Sequence, residues 1–110
     1  MAFDQVSFSL NITASEPTEI DLRMLVAKEI SGYHDLGTML GLKFRQVEMF
    51  KKEQGGDMVL INMKILTTWI AEETKMPTTW LTLVQALHDM GMKKLAHNII
   101  EKLEQRLKLS

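Results

Sequence analysis

Three histidines are the side chains best suited to acid–base or metal chemistry, but their spacing assembles no site. His34, His88 and His97 lie in three different predicted helices, and none belongs to the HExxH pair that binds zinc. No nucleophile elbow accompanies them, and Gly55-Gly56 is not followed by the lysine–serine pair of a phosphate-binding loop. We therefore predict that the chain is not an enzyme and binds no metal or cofactor.

The amino-acid composition excludes several other classes of protein. The 110 residues are 45% hydrophobic, which suffices for one buried core and is typical of a single domain. Thirteen basic and fourteen acidic side chains nearly cancel, so the total charge does not favour nucleic acid as a partner. No apolar run is long enough to span a membrane, no signal-peptide pattern begins the chain, and cysteine is absent. We expect a cytoplasmic location, either free or as the intracellular part of a membrane protein, with no membrane contact by this chain.

Residues 1–17 differ in pattern from the rest. Val6, Phe8, Leu10 and Ile12 alternate with polar residues, which is the period of a half-buried strand. Because one strand cannot form a sheet alone, three interpretations stay open: the end of a β-rich domain, a strand that pairs with a partner, or a disordered lead-in. We assign residues 1–17 to this lead-in and residues 18–110 to one helical domain.

Residues that start and stop helices divide the remainder into six segments. Thr18, with an acidic residue three positions later, resembles a capping box at the first helix. The fourth helix is expected to reach about Thr74, because Pro77 cannot continue it, and Thr78 or Thr79 can cap the fifth. Glycines that tolerate positive φ are expected to end four of the helices: Gly32, Gly41, Gly55-Gly56 and Gly91.

Apolar residues recur at helical spacing in every segment and predict the buried faces. These faces are Leu22, Leu25, Val26 and Ile30; Tyr33, Leu36 and Leu40; Phe44, Val47 and Phe50; Met58, Ile61, Ile65, Leu66, Trp69 and Ile70; Trp80, Leu83, Val84 and Leu87; and Met92, Leu95, Ala96, Ile99, Ile100 and Leu103. Both tryptophans are on these faces, so we expect them in the core. The nine methionines are likewise interpreted as flexible core filling, with a methionine-rich binding surface as the alternative.

The order and intervals of these residues resemble one family. The last two helices carry the most specific series: Trp80, Leu83, Ala86-Leu87, Met90-Gly91, Leu95-Ala96 and Ile99. Earlier helices add Leu36, Leu40-Gly41-Leu42, Val47, Phe50, Ile65-Leu66 and Trp69. Over about residues 18–107 the chain resembles a death domain, and the resemblance implies an all-α, six-helix antiparallel bundle of the death-fold type. Gly37 departs from the family's usual alanine, and Asn62 from a small apolar residue. The related caspase-recruitment and death-effector domains share the bundle and stay open as alternatives.

The resemblance also implies where the domain binds. Family members join through asymmetric contacts between different helix faces. Carried over to this chain, the contacts are a basic edge on the third helix, an acidic end on the fourth, the turn after it, and the corner between the fifth and sixth helices. The residues concerned are Lys43, Arg45, Lys51 and Lys52; Glu72 and Glu73; Lys75 and Met76; and Asp89, Lys93 and Lys94. Head-to-tail contacts of this kind do not close at two subunits, so they build oligomers. The simpler alternative is that each charge is ordinary solvated surface.

From the resemblance we expect a non-catalytic homotypic interaction module that links a receptor or scaffold to adaptors in apoptotic or NF-kappaB signalling. Its partners would be other death domains, either identical copies or an adaptor's. Netrin-receptor-like and ankyrin-like proteins attach this bundle directly behind β-rich modules, and the strand-like lead-in fits such a remnant. The alternative is therefore an autoinhibitory or structural module that packs against a neighbouring β-rich domain.

Overall fold

A computed structural model describes residues 15–71 and 74–109, and within these ranges the chain forms six helices and no strand. Helix α1 begins as an α-helical turn, Glu19–Asp21, and continues as a π-helical segment, Leu22–Ala27. The other helices are α2 (Tyr33–Met39), α3 (Phe44–Glu53), α4 (Met58–Ile70), α5 (Trp80–Asp89) and α6 (Lys93–Leu109). This confirms the predicted six-helix bundle. The predicted strand at residues 6–12 lies outside the described residues.

Side-chain caps start three of the helices. The hydroxyl of Thr18 accepts from the backbone N–H of Asp21 at 3.2 Å, and the hydroxyl of Thr79 accepts from the N–H of Thr82 at 3.4 Å. Both caps were predicted from the sequence. The carboxylate of Asp57 caps α4 in the same way. Each bond satisfies an amide that the first helical turn leaves without a partner.

Helices α2, α3 and α5 end in the same hydrogen-bonded turn. At the end of α5 the N–H of Met92 donates to the carbonyl oxygen of Leu87 at 2.9 Å, across Gly91 with φ of 86°. Gly41 and Gly55 hold the equivalent positions after α2 and α3. A residue with a side chain is strained at this positive φ, so the glycines set where these helices stop.

Helix α4 is the centre of the bundle and packs against α1, α2 and α3, while α6 covers α5 and α1. The core between them consists mainly of leucine, isoleucine and valine, together with both tryptophans. Trp69 is 0% exposed and Trp80 is 2% exposed, which confirms their predicted core positions.

Helix α4 ends at Ile70, four residues before the predicted Thr74. The amide of Ala71 makes the last helical hydrogen bond, to the carbonyl oxygen of Thr67 at 3.1 Å. The indole Nε1 of Trp69 donates to the carbonyl oxygen of Pro77 at 2.9 Å, so the following loop folds back over the helix end. Apolar periodicity alone does not report this loop contact, which is why the predicted helix was too long.

Phe44 and Met58 are not in the core, contrary to the prediction for their helices. Phe44 is 68% exposed and Met58 is 40% exposed, whereas Val47 and Phe50 are buried. Both exposed residues are the first of a helix. The first position does not decide exposure by itself, because Trp80 is also the first residue of its helix and is buried; the packing between helices decides which way the first turn faces.

Five of the eight described methionines are exposed, so their interpretation as core filling was wrong for these five, whereas Met63, Met90 and Met92 do pack in or against the core. Among those described, only Met63 is buried. The exposed ones are Met24, Met39, Met49, Met58 and Met76. Branched aliphatic residues and the tryptophans already fill the centre of the bundle. The chain therefore presents these five flexible, polarizable side chains on its surface.

Asn62 is fully buried where the family pattern has a small apolar residue. Its Nδ2 donates to the carbonyl oxygens of Ala27 and Ile30, both at 3.0 Å. These carbonyls lie at and just after the end of α1, where helical carbonyls lack intrahelical partners. Asn62 therefore ties the end of α1 to α4, and the amide is structural.

Candidate interaction surface

The basic surface on α3, defined as Lys43, Arg45, Lys51 and Lys52, is exposed as predicted. None of its four side chains forms an ion pair with another described residue. Lys51 and Lys52 lie in the last turn of α3, where positive charge is favourable, but Lys43 and Arg45 lie at its start, where positive charge opposes the helix dipole. The charges at the start of α3 therefore do not serve the stability of the helix.

The start of α3 is held by a different side chain. Oε1 of Gln46 accepts from the backbone N–H of Lys43 at 2.9 Å. The ammonium group of Lys43 has no lone pair and cannot accept a hydrogen bond from the helix backbone. Only the half of the capping box that Gln46 provides can therefore form. The lysine side chain is not needed for the cap and is exposed.

An aromatic ring stands beside the basic surface. The ring of Phe44 stacks on that of His34, with centroids 5.0 Å apart and planes inclined at 18°. His34 is in turn bound through Nε2 to Oε2 of Glu48 at 2.6 Å, which joins α2 to α3. Phe44 and Met49 also line an open groove of about 550 Å³ together with Lys43, Arg45 and Gln46.

Sequence reasoning missed Phe44 because its spacing to Val47 fits a buried face as well as an exposed one. Its place directly after the N-cap residue of α3 gives no signal, because Trp80 also directly follows an N-cap residue and is buried. An exposed aromatic ring bordered by unpaired cations is typical of a protein-binding surface.

The loop between α4 and α5 is only partly described. Glu72 and Glu73, the predicted acidic end of α4, lie outside the described residues. Lys75 and Met76 are exposed, as expected. The loop lies against the end of α2, where a β-carbon on Gly41 would be 3.0 Å from Cγ of Met76. The missing side chain of this glycine lets the loop approach the turn that leads into the basic surface.

The corner between α5 and α6 exposes Asp89, Lys93 and Lys94, as expected. Asp89 is partly engaged, because its Oδ1 accepts from Nε2 of Gln85 at 3.0 Å. Lys93 and Lys94 open α6 and its first turn holds no acidic residue, so these charges also oppose the helix dipole. The corner lies at the opposite end of α5 from Lys75, roughly 15 Å along the helix axis. The predicted site residues thus form separate surfaces.

Neither a metal site nor a membrane span is present among the described residues. No group of three or more histidine, cysteine, aspartate or glutamate side chains could hold a metal ion among them. In the same part of the chain no helix is both long and apolar enough to cross a membrane.

Comparison with known proteins agrees with this architecture. The family model described as Death domain matches residues 20–103, which is most of the chain and includes all of α2 to α5. Curated proteins and solved structures give no significant match. Domains of the matched family are typically non-catalytic and bind other domains of the same fold. The chain belongs to the death-domain family.

Proposed function

We propose that this domain connects a receptor or scaffold protein to an adaptor by docking onto another death domain, in the cytoplasm and in a pathway toward apoptosis or NF-kappaB activation. Family membership supports docking onto the same fold. One observation on this chain carries the choice of surface: Phe44 and the basic surface are exposed side by side on α3, and the cations have no ion-pair partner among the described residues.

This surface contributes little to folding. Each cation at the start of α3 destabilises the helix by about 0.3–1 kcal/mol through the dipole. An exposed phenylalanine gains nothing from burial until a partner covers it. Aromatic residues covered by a partner and bordered by charges commonly dominate binding energy, and complementary charges raise the association rate. A partner surface with an apolar recess and acidic neighbours would satisfy all of these groups.

The acidic counterpart that we propose on a second domain is Glu72 and Glu73, next to the exposed Lys75 and Met76. Asp89, Lys93 and Lys94 at the α5–α6 corner would form a further contact. Because these surfaces differ from the basic surface, the contact is head-to-tail and leaves both outer surfaces open. We therefore propose that the domain nucleates a helical oligomer rather than a closed dimer.

Charge reversal tests the pairing. Arg45→Glu and Glu72→Arg should each weaken self-association, or binding to an adaptor's death domain, by about two- to tenfold, because an exposed ion pair contributes about 0.2–1 kcal/mol and reversal adds repulsion. The double variant Arg45→Glu/Glu72→Arg should recover part of the loss. Lys28→Glu, an exposed reversal of the same size outside these surfaces, is the matched control.

Multi-angle light scattering over a concentration series measures the association, and circular dichroism verifies that each variant is helical. Unchanged assembly in both single variants, or equal loss in Lys28→Glu, would exclude the assigned surfaces. A double variant weaker than either single variant would show that Arg45 and Glu72 do not face each other.

A second candidate function is autoinhibition by packing on a neighbouring β-rich domain. The observation that favours it is the attachment of the segment before α1. The carbonyl oxygen of Ser15 accepts from the N–H of Trp80 at 2.9 Å, and Pro17 is buried. A module joined through residues 1–14 would therefore be tethered close to the start of α5.

Hydrogen exchange on a longer chain that includes the preceding module separates the two functions. Under autoinhibition, amides of residues 1–14 are protected by a sheet, and adaptor binding rises when that module is removed. If the domain instead only connects a receptor or scaffold to an adaptor, removal of the module leaves adaptor binding unchanged.

A further inference from the structure

A second open groove lies between α1 and α6, away from the basic surface. Its volume is about 530 Å³. Met24 and Leu25 of α1 form one wall, and Met92 and Leu95 at the start of α6 form the other. Met24 is 66% exposed, and Ile20, one turn earlier on α1, is 70% exposed. Ile20 and Met24 thus form an exposed apolar strip on α1, and half-buried Leu25, Met92 and Leu95 lie beside it in the groove.

The strip is carried by an irregular part of α1. Met24 and Leu25 belong to the π-helical segment Leu22–Ala27. Runs of π-helix are rare and occur frequently at functional sites, because they widen the helix and reposition its side chains. The π-helical segment of α1 and its exposed methionine therefore coincide, and both features indicate a functional site.

Charge is unevenly placed around the groove. Lys94 and Lys102 line it from α6 and are both exposed. They are eight residues apart, which corresponds to about 12 Å along the helix. Glu29 is the one acidic residue that lines it, from α1. An occupant with carboxylates spaced along the α6 side would meet both lysines.

We propose that this groove binds one amphipathic helix of a partner protein, with its apolar face on the methionine strip and acidic residues along the flank that faces α6. A cleft between two helices accepts a third by ridges-into-grooves packing. Methionine walls adapt to helices of different sequence, and amphipathic helices bind such grooves through residues at i, i+3, i+4 and i+7.

A second copy of this domain is a poorer occupant. The exposed apolar residues Phe44 and Met49 on α3 are accompanied by Lys43 and Arg45. Placed in the groove, α3 would bring these cations against Lys94 and Lys102. Juxtaposed like charges suppress such a pairing, so an acidic helix fits and α3 does not.

Fluorescence anisotropy with labelled peptides tests the proposal on the full 110-residue chain. The probe is a helical peptide of about 18 residues with leucines at i, i+3, i+4 and i+7 and glutamates two turns apart on one flank. The matched probe carries lysines in place of the glutamates. The acidic peptide should bind at least about ten times more tightly than the basic one, with a preference that decreases at high salt.

Variants locate the peptide. Lys102→Glu should weaken acidic-peptide binding by about two- to fivefold, because it removes an ion pair. Met24→Lys should weaken it by about tenfold or more, because it buries a charge in the apolar strip. Lys64→Glu on α4, an exposed reversal outside the groove and outside the homotypic surfaces, is the matched control and should change binding by less than about twofold. Both groove positions are exposed, and circular dichroism establishes that the variants keep their helices.

Equal binding of the two peptides, no binding at all, or equal loss in Lys64→Glu and Lys102→Glu would overturn the proposal. Loss of self-association in Met24→Lys would assign the groove to a second copy instead. The groove shares Lys94 with the α5–α6 corner, but Lys102 and Met24 belong to none of the homotypic surfaces proposed above. Variants at these two positions therefore let either hypothesis fail without the other.

Discussion

A β-carbon placed on Gly37 would lie 2.6 Å from Cγ2 of Val47, closer than real β-carbons approach another heavy atom. The glycine thus allows α2 and α3 to pack more closely than alanine would permit. In an isolated helix, glycine would be about 1 kcal/mol less favourable than alanine. Here the inter-helix contact outweighs that preference.

Gly37→Ala should therefore destabilise the domain by about 1–3 kcal/mol, because the added methyl must displace Val47 or the helix backbone. Urea unfolding followed by circular dichroism measures the change. In a Val47→Ala background the same substitution should be less harmful by about 1 kcal/mol or more, since the clashing Cγ2 is gone. A stabilised Gly37→Ala variant would show that helix propensity is decisive.

Asn62→Leu should destabilise the domain by about 2–3 kcal/mol, although leucine is apolar and the site is buried. The substitution leaves the carbonyl oxygens of Ala27 and Ile30 without their side-chain donor in a dry interior. Denaturant midpoints report the loss. Asn98→Ala on the exposed side of α6 is the control and should stay within about 0.5 kcal/mol of the parent. Equal stability of Asn62→Leu and the parent would mean that the amide is dispensable.

Phe44→Ala should separate binding from stability. The ring is exposed, so we expect the free energy of unfolding to change by less than about 0.5 kcal/mol, while association through α3 weakens by about tenfold or more. Phe50→Ala on the same helix removes a buried ring and should cost about 3–5 kcal/mol of stability. Thermal unfolding and light scattering on both variants give the comparison. Intact assembly of Phe44→Ala would remove this ring from the binding surface.

The two tryptophans should be shielded from solvent in the native domain. With Trp69 and Trp80 both buried, we expect blue-shifted emission and weak acrylamide quenching that rises severalfold on unfolding. Trp69→Phe should lower stability by about 1–2 kcal/mol, because the carbonyl oxygen of Pro77 loses its indole donor. Native emission as accessible to quencher as that of the unfolded chain would contradict the packed core.

Much of the fold could be predicted because it is specified locally. The cap at Thr18 and the glycine turn at Gly91 depend on residues within one or two turns, so the sequence contains all the partners. Trp80, Leu83 and Leu87 recur at helical spacing, so the sequence shows that they share one face of α5. This face is buried because apolar side chains are removed from water on folding. Exposure of Arg45 and of Lys94 follows from their charge.

Other features depended on contacts between distant parts of the chain. Phe44 fits the period of α3 but is exposed, and its neighbour His34 comes from α2. Met24 lies on α1, whereas Met92, which lines the same groove, belongs to the segment before α6. Their spacing in the sequence carries no information about this proximity.

The sequence by itself determined the number of helices, most of their ends and most of the core residues, because hydrogen bonds and apolar periods act over a few residues. Only the tertiary structure decided which way each helix is rotated and which side chains are left outside. That rotation follows from close contacts such as Gly37 with Val47 and Asn62 with the end of α1. Binding surfaces are what these contacts leave uncovered, so they could not be read from local pattern alone.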